Sequence, residues 1–209
     1  EAEHDILGKS LLVMRENLLA NHTKETEQNW ISEGKNMISN ILRLYNKLEE
    51  LGDSVLEHLV IYIDAIQGAI YLYNEDEKKL VSLSAYAYNR KKHFNTEYKI
   101  GYGLIGQCAY ERDYIYRTEI PDDYFTITSG ILGEKRPASL LLVPLISDDK
   151  LQGVIEIASL RETIPELTIT FVKELSVIIA RTIFNLRINQ KTERLLEESQ
   201  KMTLELKEN

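Results

Sequence analysis

The segment Ile100–Pro121 (IGYGLIGQCAYERDYIYRTEIP) constrains the fold more than any other part of the chain. It places Gly101, Gly103 and Gly106 close together, and a helix-forming stretch and an apolar, aromatic strand follow them. The glycines spell G-x-G-x-x-G, a pattern that binds dinucleotides when it joins a buried parallel strand to a crossover helix. Whether these glycines hold a phosphate or only shape a turn therefore decides the functional class.

The residues around the glycines favour a structural turn. The preceding segment Phe94–Ile100 is too polar for a central parallel strand. The helical stretch Leu104–Arg112 is short for a parallel crossover, which needs about a dozen residues or more. We therefore expect the first two glycines to form a tight turn, and Gly106 to let the helix approach the sheet closely. A nucleotide-binding enzyme built on this motif is the less favoured alternative.

The period of the hydrophobic residues divides the chain into three parts. Residues 5–51 have no strand signal, and their helical period is interrupted by the polar segment Asn21–Asn29, where a helix would need support from a partner. After Gly68 the period changes to two, and a final helix is predicted to begin near Pro165. Short polar links predict two antiparallel hairpins in the middle part: Ala69–Tyr73 with Leu80–Tyr88, and Ser139–Ile146 with Leu151–Ser159.

Local stop and turn signals set the expected boundaries. Gly52 is expected to end the N-terminal helical region, and Asp53 to cap the next helix. The polar segments Arg90–Glu97 and Pro121–Pro137 are expected to be loops. The chain then divides into an N-terminal helical region (1–52), a core domain (53–180) and a C-terminal coiled-coil helix (181–209).

Two narrow apolar seams with alternating three- and four-residue spacing predict pairing of the terminal helices. A seam this narrow suits pairing with one other helix better than packing flat on a sheet. We therefore expect a parallel homodimer. The predicted seam residues are Ile31, Ile38, Ile41, Tyr45 and Leu48 near the N-terminus, and Ile188, Leu195, Met202 and Leu206 near the C-terminus.

Composition and motif searches exclude several functional classes. The net charge of -8 argues against sequence-independent binding of nucleic acid. No apolar run approaches the length of a membrane span, and the single cysteine, Cys108, fits a reducing compartment. The histidines have no metal-ligand spacing with Cys108, and no P-loop or G-x-S-x-G motif is present. We therefore expect a cytoplasmic chain that is not itself an enzyme.

Three motifs in order along the chain resemble a GAF domain, the ligand-sensing module of signalling proteins. Gly101–Gly106 resembles its G-x-G-[LI]-x-G turn, Tyr114–Asp122 its strand that ends near a Pro-Asp step, and Val143–Ile155 its VPL…GVI hairpin. The resemblance implies an α+β fold. Its expected features are a central antiparallel sheet of five to six strands, flanking helices, and long coiled-coil-type helices at both ends.

Further segments resemble sensor receptors of two-component systems. Asn29–Gly34 (NWISEG) and Pro121–Glu134 (PDDYFTITSGILGE) are similar to segments around the GAF domains of hybrid sensor histidine kinases. Asp5–Leu18 resembles the second helix of a HAMP linker, with Ile6 where that motif has Glu. The resemblance implies a kinase-like output domain in a parent phosphorelay protein, and a place in the cytoplasmic part of a membrane-anchored receptor.

In GAF domains a small ligand lies between the sheet and the segment after the third strand. The residues that the resemblance places near this pocket are Tyr86, Tyr88, Tyr124, Phe125, Thr126, Thr128, Ser129 and Glu156. For each of them, a role in the core or on the surface is the alternative. The resemblance identifies no particular ligand or cofactor.

The leading hypothesis is a sensory module that relays conformational change between dimeric helices, with or without a bound small molecule. A ligand-free structural spacer that only dimerises is the main alternative. A nucleotide-binding enzyme is less favoured than either.

Overall fold

The computed structural model describes residues 2–87, 90–91, 97–120, 127–129 and 133–208. Side chains are described for residues 7–86, 97–120 and 136–204. The chain divides into two units, residues 1–37 and 38–209. The second unit has the expected α+β composition, an antiparallel sheet with flanking helices.

Helix α1 (Ala2–Leu44) is continuous, and it includes the polar segment Asn21–Asn29. Within that segment the hydroxyls of Thr23 and Thr26 donate to carbonyl oxygens four residues earlier, which satisfies these side chains within the helix. Apolar side chains at heptad-like spacing are exposed along the first unit: Leu7, Leu11, Met14 and Leu18.

The main sheet is antiparallel wherever its strands are described. Its order is β3-β2-β1-β9-β8-β5, and β4 pairs with β2 on the same edge as β3, so seven strands fill six positions. A separate two-stranded sheet pairs β6 with β7. The strands are β1 (Gln67–Asn74), β2 (Lys79–Ala87), β3 (Arg90–Lys91), β4 (Glu97–Lys99), β5 (Ile115–Arg117), β6 (Ile127–Ser129), β7 (Gly133–Lys135), β8 (Ser139–Ser147) and β9 (Lys150–Ser159).

Helices cover both faces of the main sheet. Helix α3 (Gly103–Glu111) covers one face, where its apolar residues join a buried cluster with alternate residues of β1, β8 and β9. Helices α2 (Leu48–Tyr62) and α4 (Glu166–Glu208) lie on the other face and contact each other through the rings of Tyr62 and Phe171. Both predicted hairpins are confirmed as β1–β2 and β8–β9.

Gly52 does not end a helix. Helix α1 already ends at Leu44, and Gly52 lies inside α2. A Cβ atom at this position would lie 2.8 Å from Cδ2 of Leu83, so the glycine allows α2 to approach β2 closely. Asp53 accepts a hydrogen bond from Oγ of Ser84 at 2.5 Å instead of capping a helix. The domain boundary expected after residue 52 therefore falls within α2.

The two segments expected to be loops contain strands. Short strands β3 and β4 occupy the ends of Arg90–Glu97 and pair with β2. The hairpin of β6 and β7 lies within Pro121–Pro137. These strands are only two or three residues long, too short for a recognisable alternation of apolar and polar residues.

Part of the predicted N-terminal seam is buried within the second unit. Ile38, Ile41 and Leu48 are buried there, and Tyr45 is partly exposed. These three buried positions leave no surface for a second copy, so their assignment to a dimer seam is wrong, whereas that of Ile31, in the first unit, stays a prediction. Spacing by three and four residues is the same whether a helix packs on its own domain or on a partner.

The glycine turn is closed by its own backbone. Gly101 and Gly103 have φ values of +80° and +64°, which confirms the tight turn. The N–H of Gly101 donates to the carbonyl oxygen of Gly106 at 2.8 Å. The N–H of Tyr102 donates to the carbonyl oxygen of Lys99 at 3.1 Å. These two N–H groups are thus used within the protein and do not point at a phosphate.

Replacing Gly106 with alanine is expected to destabilise the sheet unit. The new Cβ atom would lie 2.2 Å from the backbone oxygen of Lys99, which cannot move away as a side chain could. Overpacking of this kind costs about 1–3 kcal/mol. Urea unfolding, monitored by circular dichroism, measures the decrease in the free energy of unfolding. Gly8→Ala is the control, because nothing lies within 4 Å of a Cβ atom there. Equal stability of Gly106→Ala and wild type would contradict the close approach.

Candidate functional site

Glu156 is a buried carboxylate in the middle of the sheet. It is 4% exposed, and its partners across the sheet are Ala69 of β1 and Leu142 of β8. Directly opposed residues share a face, and both partners belong to the apolar cluster under α3. Because β9 alternates, Ile155 and Ile157 face the opposite side of the sheet. The strand therefore puts one acidic group on the α3 face, where an unpaired charge would cost several kcal/mol.

Tyr71 provides a hydrogen-bond partner for this carboxylate. Its hydroxyl donates to Oε2 of Glu156 at 3.1 Å, and the tyrosine itself is 2% exposed. The ring of Tyr98 lies edge-on to that of Tyr71, with 5.3 Å between the ring centroids. We call Tyr71, Tyr98 and Glu156 the Glu156 cluster.

Burial and the charge of Glu156 raise the pKa of Tyr98, and a hydrogen bond with Tyr71 opposes this rise. Tyr98 therefore keeps its proton at neutral pH and its hydroxyl can donate a hydrogen bond. The arrangement offers a carboxylate acceptor beside two tyrosine hydroxyls in an apolar setting. Such a set suits a small molecule that carries an ammonium group or another strong hydrogen-bond donor.

A network of charged residues fixes β4, and with it Tyr98, against β2. Tyr98 is paired with Leu80 in the sheet. Next to this pair, Nζ of Lys79 lies 2.8 Å from Oε2 of Glu97 and 2.9 Å from Oε2 of Glu77. The hydrogen bonds to Glu97 and then to Glu77 raise the pKa of Lys79. The short strand β4 thus has side-chain as well as backbone links to its neighbour.

Of the predicted pocket residues, Glu156 lies on the expected face of the sheet and Tyr86 does not. Tyr86 is paired with Gly68, and a Cβ atom on Gly68 would touch Leu56 and Val60 of α2. Tyr86 therefore faces α2, where burial and then the charge of Glu57 raise its pKa. Because strand side chains alternate, a shift of one residue changes the face, and Ala85 lies on the α3 side instead.

The side chains of the other predicted pocket residues lie outside the described set. Tyr88, Tyr124, Phe125 and Thr126 lie outside the described residues. Thr128 and Ser129 lie in β6, where only the backbone is described.

Tyr71 and Tyr98 are not among the pocket residues that the sequence predicts. Tyr71 alternates with Ala69 in a predicted strand, but only the register with β9 brings it to Glu156. Tyr98 follows a segment that was expected to be a loop, and β4 is too short to be recognised from its pattern.

Cys108 is fully buried in α3, and its Sγ donates a weak hydrogen bond to the carbonyl oxygen of Asp113 at 3.4 Å. Burial, and then the charges of Asp113 and Glu111, raise the pKa of this thiol to about 12. The thiol is therefore protonated at neutral pH, and thiolate chemistry has no support at this position.

Among the residues whose side chains are described, no group of three or more His, Cys, Asp or Glu is placed to hold a metal ion. None of the described helices combines the length and the apolar character needed to cross a membrane.

The decisive comparison is with family models, because the GAF domain model matches residues 46–183, more than half of the chain. The chain belongs to the GAF domain family. This places the Glu156 cluster inside the matched region, on the face of the GAF sheet that α3 covers. No curated protein sequence matches the chain significantly.

Solved GAF structures share the fold at low sequence identity. The GAF domain of a phosphoenolpyruvate-protein phosphotransferase from Coxiella burnetii is 19% identical with a TM-score of 0.64, covering 77% of this chain and 96% of that one. Free methionine-R-sulfoxide reductase from Neisseria meningitidis, in complex with its substrate, is 17% identical with a TM-score of 0.62, covering 76% and 91%. The A. aeolicus nlh2 GAF domain in an inactive state is 21% identical with a TM-score of 0.57, covering 77% and 99%.

Replacing Tyr71 with phenylalanine is expected to destabilise the domain. The change removes the hydroxyl that donates to the buried carboxylate, and losing one partner of a buried polar pair costs about 1–3 kcal/mol. Urea unfolding measures the difference. Tyr110→Phe is the matched control, because Tyr110 is 69% exposed. An equal decrease in the free energy of unfolding in both variants, or no decrease in Tyr71→Phe, would contradict the role of this hydrogen bond.

Proposed function

We propose that this chain is the sensory GAF module of a signalling receptor, and that it relays conformational change from its sheet to paired helices. The observation that carries the proposal is the continuity of α4, a single helix of 43 residues. At 1.5 Å per residue this helix is about 65 Å long. Its first part packs on the sheet, with Phe171, Leu175 and Ile179 buried. A shift at the sheet therefore reaches the far end of the helix without a break.

The C-terminal part of α4 is suited to pairing with a second copy. Ile188, Leu195 and Met202 of the predicted seam are 46%, 55% and 59% exposed. The side chain of Leu206 lies outside the described set. Apolar residues at heptad spacing on an exposed helix are typical of a coiled coil. We propose a parallel homodimer in which these seams pair.

The exposed apolar residues of the first unit extend the proposal to α1. Leu7, Leu11, Met14 and Leu18 are each about 60% exposed, and their spacing of four, three and four residues is that of a heptad seam. Since Ile38 and Ile41 are buried within the chain, N-terminal pairing is assigned to this earlier part of α1.

Strand β9 links the two faces of the sheet. Glu156 faces α3, whereas its neighbours Ile155 and Ile157 are buried on the α2 and α4 side. A small molecule that binds the Glu156 cluster and favours one position of β9 would favour one packing of α4 by the same amount of free energy. We propose an ammonium-bearing or similarly hydrogen-bond-donating metabolite as the ligand.

The wider setting is part of the proposal and rests on sequence resemblance. The segments similar to HAMP linkers and to hybrid sensor histidine kinases favour a two-component phosphorelay protein with a kinase-like output domain. The same resemblance favours a cytoplasmic location, and the single reduced cysteine agrees with it.

We propose that the chain is not itself an enzyme. Reductases are among the proteins with a similar fold, but the one cysteine of this chain is buried, with a pKa of about 12. The nucleotide-binding alternative has little support, because N–H groups of the glycine turn donate within the turn. A ligand-free dimerisation spacer is the main competitor, and it requires no small molecule at Glu156.

The double substitution Leu195→Glu and Met202→Glu is expected to convert the dimer to a monomer. Two like charges facing their copies across a seam oppose pairing and remove its apolar contact. Size-exclusion chromatography with light scattering measures the mass. The control, Gln190→Glu with Gln200→Glu, adds the same charge to exposed positions of α4 outside the seam. A Leu195→Glu, Met202→Glu protein that stays dimeric, or a monomeric wild type, would contradict the proposed pairing.

A further inference from the structure

A cavity lies where α4 leaves the sheet, and none of the three residues of the Glu156 cluster lines it. It is an open cleft of about 390 Å³, within the size range of small-molecule sites. The end of β1, the turn between β8 and β9, the end of α3 and residues 184–191 of α4 form its walls. Neither the motifs of the sequence nor the proposed relay accounts for this cleft.

The cleft gathers positive charge in a chain whose net charge is -8. Four cationic side chains line it, and Glu75 and Asp149 are the two carboxylates among its lining residues. No ion pair joins any of the four cations to a carboxylate within the described part of the chain. The four are Arg112, Lys150, Arg187 and Lys191.

Arg187 is held in place by neutral acceptors. One Nη atom donates to the carbonyl oxygen of Tyr73 at 2.9 Å, and the other lies 3.5 Å from Oε1 of Gln152. Burial lowers the pKa of this guanidinium from its ordinary value. Among the residues whose side chains are described, no carboxylate forms an ion pair with Arg187, and a partly desolvated, pre-positioned arginine of this kind is electrostatically favourable for an incoming oxyanion.

Another part of the lining is also fixed. Nη1 of Arg112 donates to the carbonyl oxygen of Asp149 at 2.9 Å, which ties the end of α3 to the β8–β9 turn. Leu151 and Phe184 add apolar surface to the same cleft. The cleft thus combines cationic groups for a head group with an apolar surface for an organic body.

We propose that this cleft binds a small organic phosphate, with its phosphate group between Arg187 and Lys191 and its body against Leu151 and Phe184. Arginine and lysine both bind phosphate well, and arginine does so with two parallel N–H groups. Ile188, the first residue of the C-terminal seam, also lines the cleft. A bound phosphate therefore contacts α4 at the point where the helix passes from the sheet to the seam.

Calorimetric titration of the full chain with phenyl phosphate tests this site, since that probe carries both a phosphate and an apolar ring. We expect saturable binding that Arg187→Gln and Lys191→Gln each weaken about tenfold or more, because each removes a charge-assisted contact. Benzoate is expected to bind more weakly than phenyl phosphate, and benzyl alcohol not at all. Lys191 is exposed, so Lys191→Gln tests the site even if Arg187→Gln fails to fold.

Arg181→Gln is the matched control, because Arg181 is an exposed cation of the same helix outside the cleft. We expect it to bind phenyl phosphate as tightly as wild type. Three results would overturn the proposal: no saturable binding by the wild type, unchanged affinity in both cleft variants, or equal weakening by Arg181→Gln. The cleft and the proposed relay can fail independently. Binding of phenyl phosphate is measured by calorimetry, whereas the proposed dimer is tested by its mass in the absence of phosphate.

Discussion

Strand β9 is buried from Gln152 to Ser159, because helices cover the sheet on both faces at this strand. Helix α3 packs over one face, and α2 and α4 pack over the other. Any polar side chain on β9 must therefore find a partner inside the protein, and any displacement of β9 is transmitted to packed side chains on both faces.

Glu156 is the residue on which this constraint bears most strongly. Replacing a buried charge by an apolar residue of similar size is often neutral or stabilising, so stability alone gives little reason to keep a carboxylate at this position. Its hydrogen bond with Tyr71 offsets part of the cost of burial. Tyr71 in turn contacts Tyr98, so the carboxylate belongs to a polar cluster on the α3 face. The same strand connects the face of this cluster to the face on which α4 begins.

The period of the hydrophobic residues was sufficient to predict both long hairpins, the glycine turn and α4. Alternation over eight or more residues, or helical spacing over several turns, leaves few competing structures.

The period of the hydrophobic residues was insufficient to predict the structure where two structures share one pattern. The spacing of Ile38 and Ile41 suits a dimer seam and an internal core equally well. A glycine at position 52 also has two interpretations. Glycine often follows the end of a helix, but here Gly52 lies within α2 and lets that helix approach Leu83 closely. Tyr86 was assigned to the wrong face and Tyr71 was missed, because only the register between strands decides which residues of a predicted strand share a face.

Native mass spectrometry tests the proposed binding of a small molecule by the Glu156 cluster. The chain is incubated with a small-molecule extract of cells, dialysed, and weighed under native conditions. We expect an adduct of defined mass on the wild type that Glu156→Gln loses, while Glu162→Gln, a change at an exposed glutamate, keeps it. Circular dichroism establishes that each variant is folded. An adduct that persists unchanged in Glu156→Gln, or a wild type that never gains one, would contradict the proposed binding and favour the ligand-free spacer.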